Sequence, residues 1–459
     1  MKKLIFIGLM LGASVGFGQT AGVGGKAAGT VGNGASHKLI AKTYNSGFSL
    51  AHDTYNAISV ASDGRVYYVL SSQSIDTGGQ MYSFDPRTGK IHHCGDLTEA
   101  CGEKGLKAIV QGKSHVRFVE SKGKLYFATH VGYYSMVDGM EKMGIPPEGY
   151  KAYPGGHLLA YDLKTGKFDD LAIAPHQEGI LTMSMDTKRG LIYGITWPTG
   201  YVFRYDLAKK ELKEIGPLSG EGENGNGKDF RTLCRSLAID PADGAVYATT
   251  SEGIIFRLRV GQDVLEPLEE DMKKDYFGIY DPSSAGHMGY NWRQTVWYPG
   301  NRSVYGVHGN SGYLFQFDPR AGKINVIDRI TSEPSKRSGM FDQFSYGYLG
   351  FILGPDQHTL YYLTGGPVYL EGRRVKGKSS TAMGEAKGLE DLHLVTYDIP
   401  AGRYRDHGAI FYPDGQRPLY VNSIAVGRDG TVYTLARITE NGKTRTDLVS
   451  VPAMGPGSY

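Results

Sequence analysis

The chain has 459 residues, a net charge of only +3 at neutral pH and three cysteines. Acidic and basic residues are interspersed and no Lys/Arg run occurs, which argues against a nucleic-acid-binding protein. Its 65 glycines and 32 tyrosines favour strands and tight turns over helices. The composition therefore predicts a β-rich globular protein without a nucleic-acid partner.

The N-terminus has the three parts of a secretory signal. Lys2 and Lys3 precede the apolar run LIFIGLMLGASVGF, and small residues precede Gln19. We predict a signal peptide over 1–18, a flexible Gly/Ala/Thr-rich lead-in over 19–36, and export to the periplasm or the medium. No later apolar stretch is long enough to cross a bilayer, so no membrane span is expected.

A short unit recurs seven times after residue 37. It consists of an apolar strand, a tight turn and a second strand that carries a tyrosine. A repeat on this scale is typical of propeller blades. The tyrosines that align the seven copies are Tyr67, Tyr126, Tyr193, Tyr247, Tyr305, Tyr361 and Tyr433.

Turns such as SFDPRTGK (83–90) and AYDLKTGK (160–167) follow the tyrosine strand. We assign them to the hairpin between third and fourth strands, where glycine accepts a positive φ. We predict an all-β, seven-bladed β-propeller in a single domain over 37–459. The last unit shows three strands, so HKLIAKT (37–43) is expected to join the last blade and close the ring.

Propeller geometry brings the start of each first strand and the end of each second strand to one rim of the central channel. Crowding arginines and histidines there is costly unless an anion or a metal lies between them. Long insertions at 132–155 and 365–392 lead from the same rim and add Tyr134. The candidate site residues are Asn56, His115, His130, Tyr134, Trp197, Arg235, Arg293, His308, Tyr348, Asn422 and Arg437.

Purely structural roles are open for several of these residues. The structural alternatives are a hydrogen-bonded pair of His115 and His130 across a hairpin, salt bridges from Arg235 and Arg293 to rim acids, and an apolar layer covered by Trp197. The chemical alternative is β-elimination on a uronic acid, which requires a cation to neutralise the carboxylate, a base for the C5 proton and an acid for the leaving oxygen. Arginine, histidine and tyrosine suit those roles.

At these residues the chain resembles the secreted seven-bladed propeller polysaccharide lyases, especially the ulvan lyases. The most suggestive segments are QGKSHVRFVESKGKLYFATHVGYY and TWPTGYVFRYD. The resemblance implies a monomeric lyase acting on an anionic, uronate-containing polysaccharide, with His115 as the base and His130 binding substrate. Arg235 or Arg293 would neutralise the carboxylate, and Tyr348 or Tyr134 would be the acid, because the third blade has Thr182 and Trp197 at the rim instead of a Tyr/Arg pair.

The same resemblance implies a calcium, zinc or manganese ion, either structural or charge-neutralising, and no organic cofactor. A more distant similarity to oligogalacturonate lyases would make His115, His130 and His308 metal ligands. The main alternative to a lyase is a non-catalytic secreted propeller that binds a glycan or a protein on the same rim. A calcium-dependent propeller hydrolase fits less well, since the rim has few carboxylates.

The cysteines allow one disulfide. Cys94 and Cys101 lie in one loop, and an oxidising compartment would let them join. A metal site built on His92, His93 and Cys94 is the weaker alternative, since adjacent strand residues point to opposite faces. Cys234 is left without a partner and is expected to be buried.

Overall fold

The structure is a computed structural model, which describes residues 38–137, 140–277, 289–309, 311–337, 350–367, 369–370, 373–374, 390–419, 421–440 and 442–453. Ser36–Tyr459 is one compact unit. The predicted signal peptide and lead-in (1–36) lie outside the described residues.

Seven four-stranded antiparallel blades follow one another along the chain, which confirms the predicted propeller. Blade 1 consists of Ile58–Val60, Val66–Leu70, Gln80–Asp85 and Lys90–Asp96. Blade 2 consists of Val119–Ser121, Lys124–Ala128, His157–Asp162 and Phe168–Ile173. Blade 3 consists of Gly179–Asp186, Leu191–Trp197, Tyr201–Asp206 and Glu211–Pro217.

The remaining blades have the same order of strands. Blade 4 consists of Ala238–Ile239, Val246–Thr249, Ile254–Leu258 and Glu266–Asp271. Blade 5 consists of Gln294–Tyr298, Ser303–Val307, Tyr313–Asp318 and Lys323–Arg329. Blade 6 consists of Phe351–Leu353, Thr359–Pro367, Glu390–Asp398 and Arg403–Phe411. Blade 7 consists of Ala425–Val426, Val432–Glu440, Lys443–Val451 and the N-terminal strand Lys42–Thr43.

The N-terminal segment joins two blades rather than one. Lys42–Thr43 pairs antiparallel with the third strand of blade 7, as predicted. Leu39–Ile40 also pairs, in parallel, with the fourth strand of blade 6. Because each strand is only two residues long, the segment can change sheets within one bend, and it covers two blade edges.

Each aligned tyrosine lies in a second strand and is buried between blades. The predicted hairpin turns also lie between third and fourth strands, with Gly89 and Gly166 both at φ 68°. Packing of neighbouring blades gives several apolar clusters, one of which joins blades 5, 6 and 7 and another blades 1, 2 and 3. First strands of neighbouring blades contact each other around the central channel.

Helices are short and lie between blades. The α-helices are Leu97–Ala100 and Glu333–Arg337, and the 3-10 turns are Pro175–Gln177, Gly222–Asn224, Gly227–Asp229 and Asp275–Phe277. Two further hairpins pair Tyr134–Val137 with Met140–Met143 and Tyr369–Leu370 with Arg373–Arg374. Within the described part of the chain, no helix has the length and apolar character needed to cross a membrane.

All three cysteines are free thiols. The disulfide considered between Cys94 and Cys101 is therefore not formed. Cys94 lies in the fourth strand of blade 1, whereas Cys101 ends the short helix that follows and is buried against His157. Cys234 is buried, as expected.

Candidate functional site

One cavity at the rim collects six of the predicted residues. It has an empty volume of about 520 Å³ and lies where the first strands of blades 1, 2, 4 and 7 begin and the second strands of blades 2 and 3 end. The lining residues are Tyr55, Asn56, His115, His130, Glu141, Leu181, Trp197, Glu223, Arg235 and Asn422. An apolar cluster that includes Leu181 and Trp197 supports one wall.

Two imidazoles that pack against each other with a tilt of 37° line this cavity. The ring centroids of His115 and His130 are 4.7 Å apart, Tyr55 packs on His115 at 4.2 Å, and Trp197 packs on His130 at 5.2 Å. Residue 130 is placed by two backbone hydrogen bonds to Lys113, which continue the blade 2 hairpin beyond its strands. The blade 2 hairpin thus brings His115 and His130 together. The two side chains contact each other through their rings and not through a hydrogen bond.

Both imidazoles are neutral at physiological pH. Burial is the main reason that the pKa of His115 lies well below its ordinary value. Repulsion from a protonated His130 and the charges of Lys113 and Arg235 lower this pKa further. Burial and the same two cations likewise lower the pKa of His130. The Nδ1–H of His130 donates to the Val131 carbonyl at 3.0 Å, so Nε2 keeps a lone pair, and this buried atom has no hydrogen-bond partner among the described residues.

Lys113 is the cation closest to this pair in the sequence, and its side chain is only 1% exposed. Its ammonium lies between two aromatic rings, 4.3 Å from the centroid of Tyr55 and 4.5 Å from that of Tyr134. It donates to the Tyr55 hydroxyl at 3.0 Å and lies 3.4 Å from a Glu141 carboxylate oxygen. The insertion hairpin, which supplies Tyr134 and Glu141, thus closes the cavity over Lys113.

Arg235 is the second cation of the cavity. Its guanidinium forms an ion pair with Glu223 at 2.7 Å, and each side chain is 7% exposed. The other carboxylate oxygen of Glu223 accepts a hydrogen bond from the Trp197 indole at 2.9 Å. Glu223 belongs to a 3-10 turn in the insertion before blade 4, so this loop orients both Arg235 and Trp197.

A buried carboxylate links the cavity to blade 7. Asp53 lies 2.9 Å from His52 and 3.0 Å from Arg437, and it accepts a hydrogen bond from the Tyr134 hydroxyl. Burial alone would raise the pKa of Asp53, but His52, Tyr134 and Lys113 outweigh it and the pKa is lowered. Tyr134 and Arg437 therefore hold the rim together beside the cavity and do not line it.

The remaining predicted residues lie elsewhere. Arg293 is buried but does not line the cavity. His308 is stacked on Phe277 with centroids 4.4 Å apart and bonds Ser311 at 2.8 Å, which makes it part of the blade 5 packing. Tyr348 lies outside the described residues.

The described residues form no metal site with three protein ligands. No group of three or more His, Cys, Asp or Glu side chains is placed to hold an ion there. His308 packs on Phe277 and does not line the cavity that holds His115 and His130.

Sequence reasoning missed five residues that shape the site: Asp53, Tyr55, Lys113, Glu141 and Glu223. Tyr55 and Lys113 stand one and two positions before predicted rim residues, so a wider window at each first strand would have included them. Glu141 and Glu223 come from insertions whose paths the repeat does not specify. The structural alternative for Arg235, a salt bridge to a rim acid, is formed with Glu223; Glu178, another acid of this rim, accepts hydrogen bonds from Thr196 and Thr199.

Comparison with known proteins gives structural similarities at low sequence identity. No family model and no curated protein matches the sequence. A chain in the "Crystal Structure of Mitotic Checkpoint Complex" is 11% identical with a TM-score of 0.46, over 96% of this chain and 99% of that one. A chain of Kuenenia stuttgartiensis hydrazine synthase is 12% identical with a TM-score of 0.43, over 70% of this chain and 75% of that one.

Proposed function

We propose that the protein is a polysaccharide lyase that cleaves a uronate-containing, ulvan-like polysaccharide by β-elimination. The observation that carries the proposal is a pair of neutral, buried imidazoles that line one cavity with Arg235, while the charge of Lys113 acts on the pair from outside the lining. A neutral imidazole can accept a proton, and a nearby cation stabilises the carboxylate whose α-carbon loses it. The similarity to propeller lyases noted from the sequence supports the same assignment.

The proposed reaction assigns His115 as the base. It is the more exposed imidazole of the pair, at 9% against 1% for His130. His115 takes the C5 proton of the uronate, the C5–H electron pair forms the C4=C5 bond, and the C4–O4 bond breaks. Arg235 is assigned to the uronate carboxylate, while His130 and Trp197 position the sugar ring.

The acid is best assigned to Tyr55. Its hydroxyl accepts a hydrogen bond from the Lys113 ammonium at 3.0 Å, a contact that stabilises the phenolate left after proton transfer. Tyr134 suits the role less well, because burial and the charges of Glu141 and Asp53 raise its pKa. In this assignment Tyr55 protonates O4 of the leaving sugar as the C4–O4 bond breaks.

The test is the ultraviolet absorbance of the unsaturated uronate product. Purified protein is incubated with ulvan, polygalacturonate, alginate and glycosaminoglycans, each with and without a chelator. We expect absorbance to rise on one polymer, and a rise that survives the chelator supports neutralisation by the protein's own cations. Absence of product from every polymer would contradict the lyase assignment.

A non-catalytic glycan-binding propeller is the second candidate. It is favoured by the fact that Arg235 and Lys113 already contact Glu223 and Glu141, so both charges are partly balanced within the protein. Binding without turnover on a glycan array, together with no absorbance change, would support this alternative.

A further inference from the structure

A second cavity continues the rim cavity into the central channel. It has an empty volume of about 690 Å³ and shares Asn56, His115 and Arg235 with the rim cavity. Its other polar lining residues are Arg117, Thr182, Ser184, Ser236, Gln294 and Thr295. No carboxylate among the described residues lines it, although it contains two guanidinium groups.

Arg117 crosses this channel from blade 2. Its Nη2 donates to the Gln294 side-chain oxygen at 2.9 Å and to the Phe351 carbonyl, at the inner edges of blades 5 and 6. The Gln294 amide in turn donates to the Asn56 side-chain oxygen at 2.7 Å, which fixes the orientation of the glutamine. Both partners of Arg117 are neutral, and the described residues give it no ion pair.

Arg117 is half-buried, and withdrawing a guanidinium even partly from water without a counter-charge is costly, because the lost solvation is repaid only by an opposite charge. Burial lowers the pKa of Arg117 to about 10, so it still carries its charge at neutral pH. A guanidinium has five N–H donors, and the two hydrogen bonds to protein acceptors both use Nη2. The hydroxyls of Ser236 and Thr295 are hydrogen-bonded to each other at 2.7 Å, which leaves one of the two O–H groups to donate to another acceptor in the same channel.

We infer that the central channel holds a small oxyanion, bound by Arg117 and neighbouring hydroxyl groups below His115. The class includes a free inorganic ion and the carboxylate of a sugar acid, since both present planar or tetrahedral oxygens to a guanidinium. The anion site adjoins the rim cavity, with which it shares His115 and Arg235, but the inference does not depend on the protein being a lyase.

Binding is tested by thermal unfolding of the full-length protein in increasing sulfate or glucuronate, with ionic strength held constant by a bulky buffer anion. A ligand of the folded state raises Tm until the site is saturated. We expect a saturable rise with the wild type and with Arg428→Met, an exposed arginine control. Arg117→Met should lose the rise, and Arg117→Lys should keep part of it. A response to sulfate alone assigns an inorganic ion, and a response to glucuronate also assigns a sugar carboxylate.

A second readout uses the wild type only, in case Arg117→Met does not fold. An anion near His115 favours its charged form, so sulfate should move the NMR titration of the His115 imidazole to higher pH. The resonance is assigned by its absence in His115→Gln. No saturable Tm rise in either ligand, or an unchanged His115 titration, would overturn the inference.

Discussion

At the residue scale, the site is defined by which histidines are neutral and which are charged. His115 and His130 lack carboxylate partners and lie near cations, so burial keeps them neutral. His157 lies between Glu103 at 2.9 Å and Asp170 at 2.9 Å, and despite its burial these partners and Cys101 raise its pKa to about 12. One blade thus holds a neutral pair suited to proton transfer and a charged histidine suited to structure.

We predict that His157→Gln lowers the free energy of unfolding by about 3 kcal/mol, because the buried Glu103 carboxylate and the exposed Asp170 carboxylate both lose their cation. The folded pKa is above the unfolded one, so this stabilisation is complete below pH ~6.5 and is lost as the pH rises toward the folded pKa. The difference in the free energy of unfolding between wild type and variant should therefore decrease by about 1.4 kcal/mol for each pH unit above ~6.5.

Chemical denaturation at about pH 6 and about pH 8 measures this gap. His176→Gln is the matched control, since His176 pairs with Glu214 at 2.7 Å on the surface, where such pairs contribute about 0–1 kcal/mol. A His157 variant whose gap stays constant with pH would show that the histidine is not charged in the folded protein.

At the element scale, blade positions were predictable and insertion loops were not. The repeat specifies where first strands begin and second strands end, which is why Asn56, His115 and Trp197 were found. Glu141 and Glu223 depend on how two irregular loops fold back over the rim, and no local period encodes that path. Arg293 and His308 occupy equivalent positions in blade 5 but do not line the cavity. The position within a blade therefore does not by itself identify a site residue.

The first strand of blade 3 also fixes the histidine pair. A Cβ built on Gly179 would lie 2.9 Å from Cγ of His130. We predict that Gly179→Ala displaces the His130 ring, lowers stability by about 1–3 kcal/mol and reduces turnover. Gly194→Ala is the matched control, because its Cβ would meet the buried Phe203 ring, away from the cavity. Equal turnover in the two variants would contradict a role for His130 in the site.

At the scale of the whole molecule, two strands of only two residues each close the ring. Leu39–Ile40 and Lys42–Thr43 cover the outer edges of blades 6 and 7. The sequence predicted the second contact from the missing strand of blade 7. It could not predict the first, because blade 6 already has four strands of its own and only the bend at Ala41 brings the chain to it.

We predict that a chain beginning at Tyr44 has a lower Tm and self-associates, because two blade edges are left open. A chain beginning at Lys38 keeps both strand pairs and is the control. Thermal unfolding and light scattering compare the two. Equal Tm and mass for both truncations would show that the closing segment does not stabilise the ring.

The central claim is that His115 acts as the base of an elimination reaction in the rim cavity. The most direct measurement compares the rate of unsaturated uronate formation by wild type, His115→Gln and His92→Gln, an exposed histidine control on blade 1. We predict that His115→Gln loses about 100-fold or more in turnover, while substrate binding changes little and His92→Gln matches the wild type. Unchanged product formation by His115→Gln would contradict the account.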